Sequence, residues 1–302
     1  MSPLRRKVTE KDGAVWGVPG VLQLQDNRVQ IHQKFENERR LKYMFCSSIK
    51  NMTAHIAAIL APCAPSIYLY GSCTMDDYKP GWSDIDILVL TRTQISDEQA
   101  RQLVSLRQSL LEEEPDDPYY RSFEGGMLTL DAFVNHTADR VVYWGTSGQR
   151  ITDTYDIGPL CVTELLDYGK LLHGADIRAA LKRPSYFDLK ENIRSHYEGI
   201  REYGSQTGRS FYSFGWLLDI SRGLYTLRTG KIIAKTAAGE WALRENLCPV
   251  PAVLEKALQV RREPAAYKGD EAILDYAATL GDDIQRYADV LESELELHNP
   301  IF

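Results

Sequence analysis

The sequence is poor in the features that mark several large protein classes. No run approaches the roughly 18 consecutive apolar residues of a membrane span. No apolar stretch follows Arg5, Arg6 and Lys7, so a secretory signal is absent. The five cysteines, at 46, 63, 73, 161 and 248, include no CxxC pair. A zinc ribbon and a thioredoxin-type site are thereby excluded, and free thiols in a reducing, cytoplasmic setting are expected. The six histidines form no HExxH. There is no GxGxxG and no GxSxG, and Thr229-Gly230-Lys231 lacks the earlier glycine and the strand of a P-loop. Basic residues are not in excess either: 35 Lys and Arg face 42 Asp and Glu, a net charge of −7. A protein built to grip a polyanion needs a broad basic surface, so a nucleic-acid partner is not expected, nor is a membrane. A small phosphate ligand and a cationic substrate both remain compatible with this balance.

What is present is an ordinary globular composition, 44% hydrophobic and 25% charged over 302 residues. Residues 1–34 are polar and broken by glycines, and read as an extension. From Phe35 a helical period begins, with Leu41, Phe45, Ile49, Met52, Ile56 and Ile59 on one face. Ile67-Tyr68-Leu69-Tyr70 then reads as a strand, and so does Asp84 to Leu90. Gln99 to Leu111 is an amphipathic helix. Gly125-Gly126 opens a third strand, Met127 to Val134. Strands alternating with helices give an α/β or α+β domain. Beyond residue 160 the strand signal fades. Helical patterns follow at 160–172, 186–204, 209–228, 236–246, 251–262 and 270–295, and the boundary between the two halves falls near Pro184.

The chemistry concentrates in one segment. Gly71-Ser72 follows the first strand, and Asp84-Ile85-Asp86 opens the second after a loop of eleven residues. Side chains two apart on a strand point to the same face, about 7 Å apart. Asp84 and Asp86 therefore project together and repel unless a cation lies between them. A hard divalent ion such as Mg²⁺ suits two carboxylates and brings phosphates with it. Gly71 lets the backbone approach a phosphate, and Ser72 adds a hydroxyl. Asp131, set among apolar residues of the expected third strand, needs a partner to be buried and is the candidate third carboxylate. It would act as metal ligand or as base toward an attacking hydroxyl.

Strand, Gly-Ser, loop, Ser-Asp-x-Asp and a later acid resemble the nucleotidyltransferase superfamily with the DNA-polymerase-β-like catalytic fold. The wording Tyr68-Leu69-Tyr70-Gly71-Ser72, then Lys79-Pro80-Gly81-Trp82-Ser83-Asp84-Ile85-Asp86-Ile87-Leu88-Val89, is most similar to aminoglycoside adenylyltransferases acting on streptomycin and spectinomycin. Ser221-Arg222-Gly223-Leu224-Tyr225, Lys235-Thr236-Ala237-Ala238-Gly239-Glu240-Trp241 and Ala266-Tyr267-Lys268-Gly269 resemble that family's helical domain. The resemblance spans about residues 40–295.

It implies an α+β fold: a nucleotidyltransferase domain over 35–184 with a mixed sheet and helices, then a helical bundle over 185–302. It implies two Mg²⁺ on Asp84, Asp86 and Asp131, and ATP as co-substrate. Gly71, Ser72, Ser83, Arg222 and Lys235 would hold the phosphates, and Tyr267 the nucleotide. AMP would pass to a hydroxyl of an aminoglycoside or aminocyclitol, with the protein a monomer or weak dimer. Two departures stand out. The position given to Asp131 is usually Glu in these enzymes. The acidic residue they carry ten positions before the Arg is Tyr212 here, so the acceptor pocket need not be the same. The alternatives are transfer to a protein or another metabolite, or a nucleotide sensor with a degenerate site.

Overall fold

In a computed structural model, which describes residues 43–145 and 148–297, α1 covers 43–59 and leads into the first strand. The expected extension over 1–34 lies outside the described residues. The sheet has six strands: β1 (Ser66–Tyr70), β2 (Ile85–Thr91), β3 (Phe123–Thr129), β4 (Val141–Gly145), β5 (Gly148–Thr152) and β6 (Lys170–His173). Their order is β5-β4-β3-β2-β1-β6. Only β2 and β3 run parallel; the other neighbours are antiparallel. The parallel pair needs a crossover, which α2 (Asp97–Glu113) supplies. Ser96 caps α2 in a capping box with Gln99. All five residues of β1 are buried, as a central strand covered on both faces requires. Tyr68, Leu88, Leu90 and Leu128 pack on one face against α4 (Gly158–Tyr168) through Leu165. On α2, Leu103 accepts a hydrogen bond at its carbonyl from Trp144 Nε1 of β4 at 3.0 Å.

The third strand differs from the expectation. It runs Phe123–Thr129, and the chain then turns into a short helix, α3 (Leu130–Asn135). Gly125 and Gly126 lie inside the strand rather than at its opening. Gly125 has φ +148°, and a Cβ on it would collide with the carbonyl of Ile87; a Cβ on Gly126 would enter the ring of Tyr155. Thr129 then caps α3 by accepting from the Ala132 amide at 3.2 Å, which ends the strand. Strands β4, β5 and β6 were not expected. Each is only four or five residues long, so none shows enough alternation to be read.

The helical half comprises α5 (Tyr186–Tyr203), α6 (Tyr212–Thr229), α7 (Lys235–Arg244), α8 (Pro251–Arg262), α9 (Glu271–Ala277) and α10 (Gly281–Glu296). α6 is the buried central helix, with Phe214, Leu217, Leu218, Ile220 and Leu224 fully inside. Ser221 Oγ lies 3.1 Å from Tyr287 Oη of α10, pairing two buried hydroxyls. The expected single helix over 270–295 is broken. The Thr279 amide and hydroxyl both donate to the Tyr276 carbonyl, tightening the turn, and Gly281 starts again where a side chain would strike the Ser205 carbonyl.

From Ser48 onward the chain packs as one compact unit. The sheet and the helices are tied by the loop between β1 and β2. Asp77 in that loop is 4% exposed and Arg261 of α8 is 2% exposed, with Arg261 Nη2 donating to Asp77 Oδ2 at 2.8 Å. Thr236 of α7 donates its hydroxyl to Asp77 Oδ1 at 2.5 Å and its amide to Oδ2 at 3.2 Å. Arg261 also sits 5.6 Å over the ring of Trp82, which stacks on Phe211. Burial pushes the Asp77 carboxyl up, but the Arg261 charge and the Thr236 hydrogen bonds win and hold it below its ordinary value.

Removing Arg261 leaves the buried Asp77 carboxylate with only the more distant Lys79 Nζ, at 3.6 Å, as a counter-charge. Arg261→Ala should cost about 3–5 kcal/mol, read from urea unfolding. Because the carboxyl is depressed in the folded state, its contribution is complete above pH about 4 and is lost as pH falls through the lowered value. Arg261→Ala should remove that acid-dependent part of the unfolding curve. A loss below about 1 kcal/mol would show that the pair does not brace the two halves.

Candidate active site

The strand register assembles the site. Asp86 lies opposite Tyr70 on β1 and opposite Glu124 on β3. Asp84 precedes β2 by one residue, so it leaves the same strand end on the same face as Asp86. Gly71 opens a 3₁₀ turn, Gly71–Cys73, with φ +66°, and a Cβ there would run into Asp86 Oδ2. Glycine at this position lets the Asp86 carboxylate lie against the turn. Ser72 Oγ is buried and has no hydrogen-bond partner among the described residues, an orphan donor in a wall of the cleft. Ser83 accepts from the Lys79 amide at 3.0 Å, which fixes the loop just before Asp84.

Tyr70, Gly71, Ser72, Ser83, Asp84 and Asp86 line a cleft of about 370 Å³ between the sheet and the helices, with Glu124 on the neighbouring strand outside that wall. From the helical side come Arg222 and Asp219 of α6, Lys235 at the first turn of α7, and His196 of α5; α4 adds Glu164. Gly71, Ser72, Ser83, Asp84, Asp86, Arg222 and Lys235 are thus brought together as expected from the sequence. Arg222 Nη2 donates to Glu164 Oε1 at 2.6 Å, and Lys235 Nζ donates to Asp219 Oδ2 at 3.1 Å.

Two expected residues are placed elsewhere. Asp131 is not on a strand. It sits in the first turn of α3, exposed, and accepts from Asn135 Nδ2 at 3.0 Å. An acid there favours the helix N-terminus, and it is not part of the cleft wall. The carboxylate level with Asp86 is Glu124, one residue before the Gly-Gly pair. Tyr267 ends a short 3₁₀ turn, packs partly buried against the helical core, and is also absent from the wall. The expected strand, opened by Gly125-Gly126 and running from Met127 to Val134, begins downstream of Glu124, whereas β3 starts at Phe123. Parallel pairing with β2 is the signal that finds Glu124.

Burial pushes the Asp86 carboxyl well above its ordinary range, and the charges of Glu164, Asp84 and Glu124 add to this. Asp84 is also raised by burial, opposed by Lys235 and Arg107. Arg107 of α2 is 9% exposed and donates to the Phe123 carbonyl at 2.7 Å, so it braces the start of β3 next to Glu124. Among the described residues, no three His, Cys, Asp or Glu side chains are gathered closely enough to hold a metal alone. The fit to a hard cation therefore rests on two repelling carboxylates, Asp84 and Asp86, with further oxygens from phosphate and water. The orphaned Ser72 hydroxyl and the glycine cradle suit those phosphates.

Comparison with known proteins agrees with this arrangement. Residues 64–121 match a nucleotidyltransferase domain, and so the chain is an enzyme of the nucleotidyltransferase type. Residues 185–280 match the aminoglycoside adenylyltransferase C-terminal domain. With both domains in this order, the chain is an aminoglycoside adenylyltransferase-like nucleotidyltransferase. Its fold is similar to that of spectinomycin adenyltransferase AAD(9) from Enterococcus faecialis, solved with ATP and spectinomycin. The TM-score is 0.54 at 16% identity, over 80% of this chain and 97% of that one. No curated protein sequence gives a match. No described helix is long and apolar enough to cross a membrane.

The crowding of negative charge around Asp86 has a consequence for the free protein. Asp86→Asn should raise its thermal midpoint by a few degrees, since roughly 1 kcal/mol corresponds to about 2–4 °C in a chain of this size. A fall in the midpoint, measured by differential scanning fluorimetry without nucleotide or metal, would mean that the carboxylate is already compensated.

Proposed function

We propose that the protein transfers AMP from ATP to a hydroxyl of an aminoglycoside or aminocyclitol such as spectinomycin or streptomycin, releasing pyrophosphate. One observation carries the reading. Asp84 and Asp86 leave one strand end beside an unsatisfied Ser72 hydroxyl, and Arg222 and Lys235 line the same cleft from the helical side. Two carboxylates for a metal and two cations for a triphosphate in one cleft are the parts that nucleotidyl transfer needs. The division near Pro184 then has a function, because ATP is held from both halves.

Asp84 and Asp86 would hold Mg²⁺, which when bound offsets phosphate charge and polarises the α-phosphoryl group. Gly71 and Ser72 receive phosphate oxygens on backbone amides and the free hydroxyl, while Ser83 keeps the loop in register. Arg222 and Lys235 draw charge onto the leaving pyrophosphate. Glu124, level with Asp86 on the next strand, takes the proton from the attacking hydroxyl. It fills the role first considered for Asp131, which faces solvent on α3. Arg107 keeps the start of β3, and with it Glu124, in place.

Streptomycin and spectinomycin incubated with enzyme, ATP and Mg²⁺ should each be checked by mass spectrometry for the gain of one AMP. Glu124→Gln should lower kcat by about a hundredfold or more while leaving the KM for ATP within about threefold. Asp131→Asn should leave both unchanged. Pyrophosphate release that survives Asp84→Asn combined with Asp86→Asn would sink the metal assignment. Turnover with a lysate protein but with neither antibiotic would move the acceptor to the alternative class.

A further inference from the structure

Arg222 and Lys235, two of the three Lys and Arg side chains that line the cleft, are already engaged. Arg222 Nη2 lies 2.6 Å from Glu164 Oε1, and Lys235 Nζ lies 2.9 Å from Asp219 Oδ1. Among the described residues, neither carboxylate has a second ion-pair partner. Glu164 is buried on α4 and Asp219 half-buried on α6. His196 also lines the cleft; burial and the charges of Arg222 and Lys235 lower its pKa, while Asp219 and Glu164 oppose them.

This pairing changes when ATP arrives. A triphosphate offers several charged oxygens to a guanidinium and an ammonium, and such charge-assisted contacts compete with a single carboxylate. Once Arg222 and Lys235 turn to the phosphates, Glu164 and Asp219 lose their compensation inside a partly enclosed cleft. Uncompensated carboxylates in such a place are costly unless another cation replaces the first. The acceptor can bring one, and the other cleft-lining cation, Arg261, is held by Asp77. Position also favours this. Tyr212, Trp216, Asp219 and Arg222 follow one another down the cleft-lining face of α6 at spacings of three and four. Asp219 is the acid on that face, one turn from Arg222.

We propose that Glu164 and Asp219 are specificity-determining residues that receive two cationic nitrogens of the acceptor after ATP has drawn off Arg222 and Lys235. The acceptor is then an amino sugar or aminocyclitol with at least two cationic groups, and neutral polyols are refused. The proposal rests on the reading of the cleft as an ATP site clamped by Arg222 and Lys235.

The test is calorimetric titration of spectinomycin, streptomycin and the neutral cyclitol myo-inositol into enzyme loaded with Mg²⁺ and a non-hydrolysable ATP analogue. Wild type is compared with Glu164→Gln, Asp219→Asn and Asp219→Glu, each checked for an unchanged thermal midpoint. Each amide variant should weaken binding of the cationic acceptor by about tenfold or more, with the Kd for the nucleotide within about threefold. Asp219→Glu, which keeps the charge, should restore most of the acceptor affinity, and inositol should not bind. If acceptor affinity holds in the amide variants while nucleotide affinity falls, the carboxylates only position the cations and the proposal is overturned. Failure of wild type to bind any dicationic acceptor overturns it as well. Transfer of AMP is measured separately: wild type that binds these acceptors through Glu164 and Asp219 without adenylylating them defeats the functional reading alone.

Discussion

The buried ion pair of Asp77 and Arg261 is the contact on which the rest depends. It joins the loop that carries Ser72 and Asp84 to the helices that carry Arg222 and Lys235. Together with the Arg222–Glu164 pair across the cleft, it holds the two sets of groups at a fixed distance. Thr236 gives the pair a second anchor, because its hydroxyl and amide both reach Asp77. Thr236 directly follows Lys235, so the brace and a cleft-lining cation are adjacent in the chain. Desolvating two charges is expensive, and a hydrophobic contact of equal size would hold the halves at least as firmly. What the ion pair adds is direction, since Arg261 donates from Nε and Nη2 to Asp77 Oδ2 and from Nη2 to the Asp77 backbone carbonyl, which fixes the angle of the loop as well as its distance.

The legible part of the site was the part written in consecutive residues. Gly71-Ser72 and Asp84-x-Asp86 could be read because a strand period and a turn sit side by side, and both fall where expected. Arg222 and Lys235 are plain helix residues, and only a family resemblance singles them out. Glu124 was missed for a definite reason. Its place depends on which strand pairs with which and in what register, and the Gly-Gly pair after it reads as the opening of the strand. In the fold those glycines admit the Ile87 carbonyl and the Tyr155 ring. Asp131 was attractive as a carboxylate among apolar neighbours. That pattern fits one turn of helix as well as a strand over so short a window.

The fold class was readable for the same reason that its details were not. Alternating strand and helix signals followed by a purely helical stretch identify a mixed domain before a bundle. Short strands such as β4, β5 and β6 take their conformation from partners already in place, not from their own periodicity. The break between α9 and α10 is likewise set from outside, where Gly281 must pass the Ser205 carbonyl. Charge was the least legible property. The net −7 says nothing about where the acids gather, yet Asp84, Asp86, Glu124, Glu164 and Asp219 all lie on the strands and helices around one cleft.

The single parallel pairing in the sheet, β2 beside β3, sets a rule for how this site can diversify. Because both strands start at the same edge, Asp86 and Glu124 stay level whatever the length of the chain that loops between them. An antiparallel β3 would have carried Glu124 to the far edge of the sheet. The stretches of the crossover on either side of α2 can therefore lengthen or shorten without moving the two carboxylates apart, whereas α2 itself is held to the sheet by Arg107, which braces the start of β3 beside Glu124. Separation along the chain and separation in space are decoupled at this one place, and variation in the crossover reaches the chemistry only where it touches that brace.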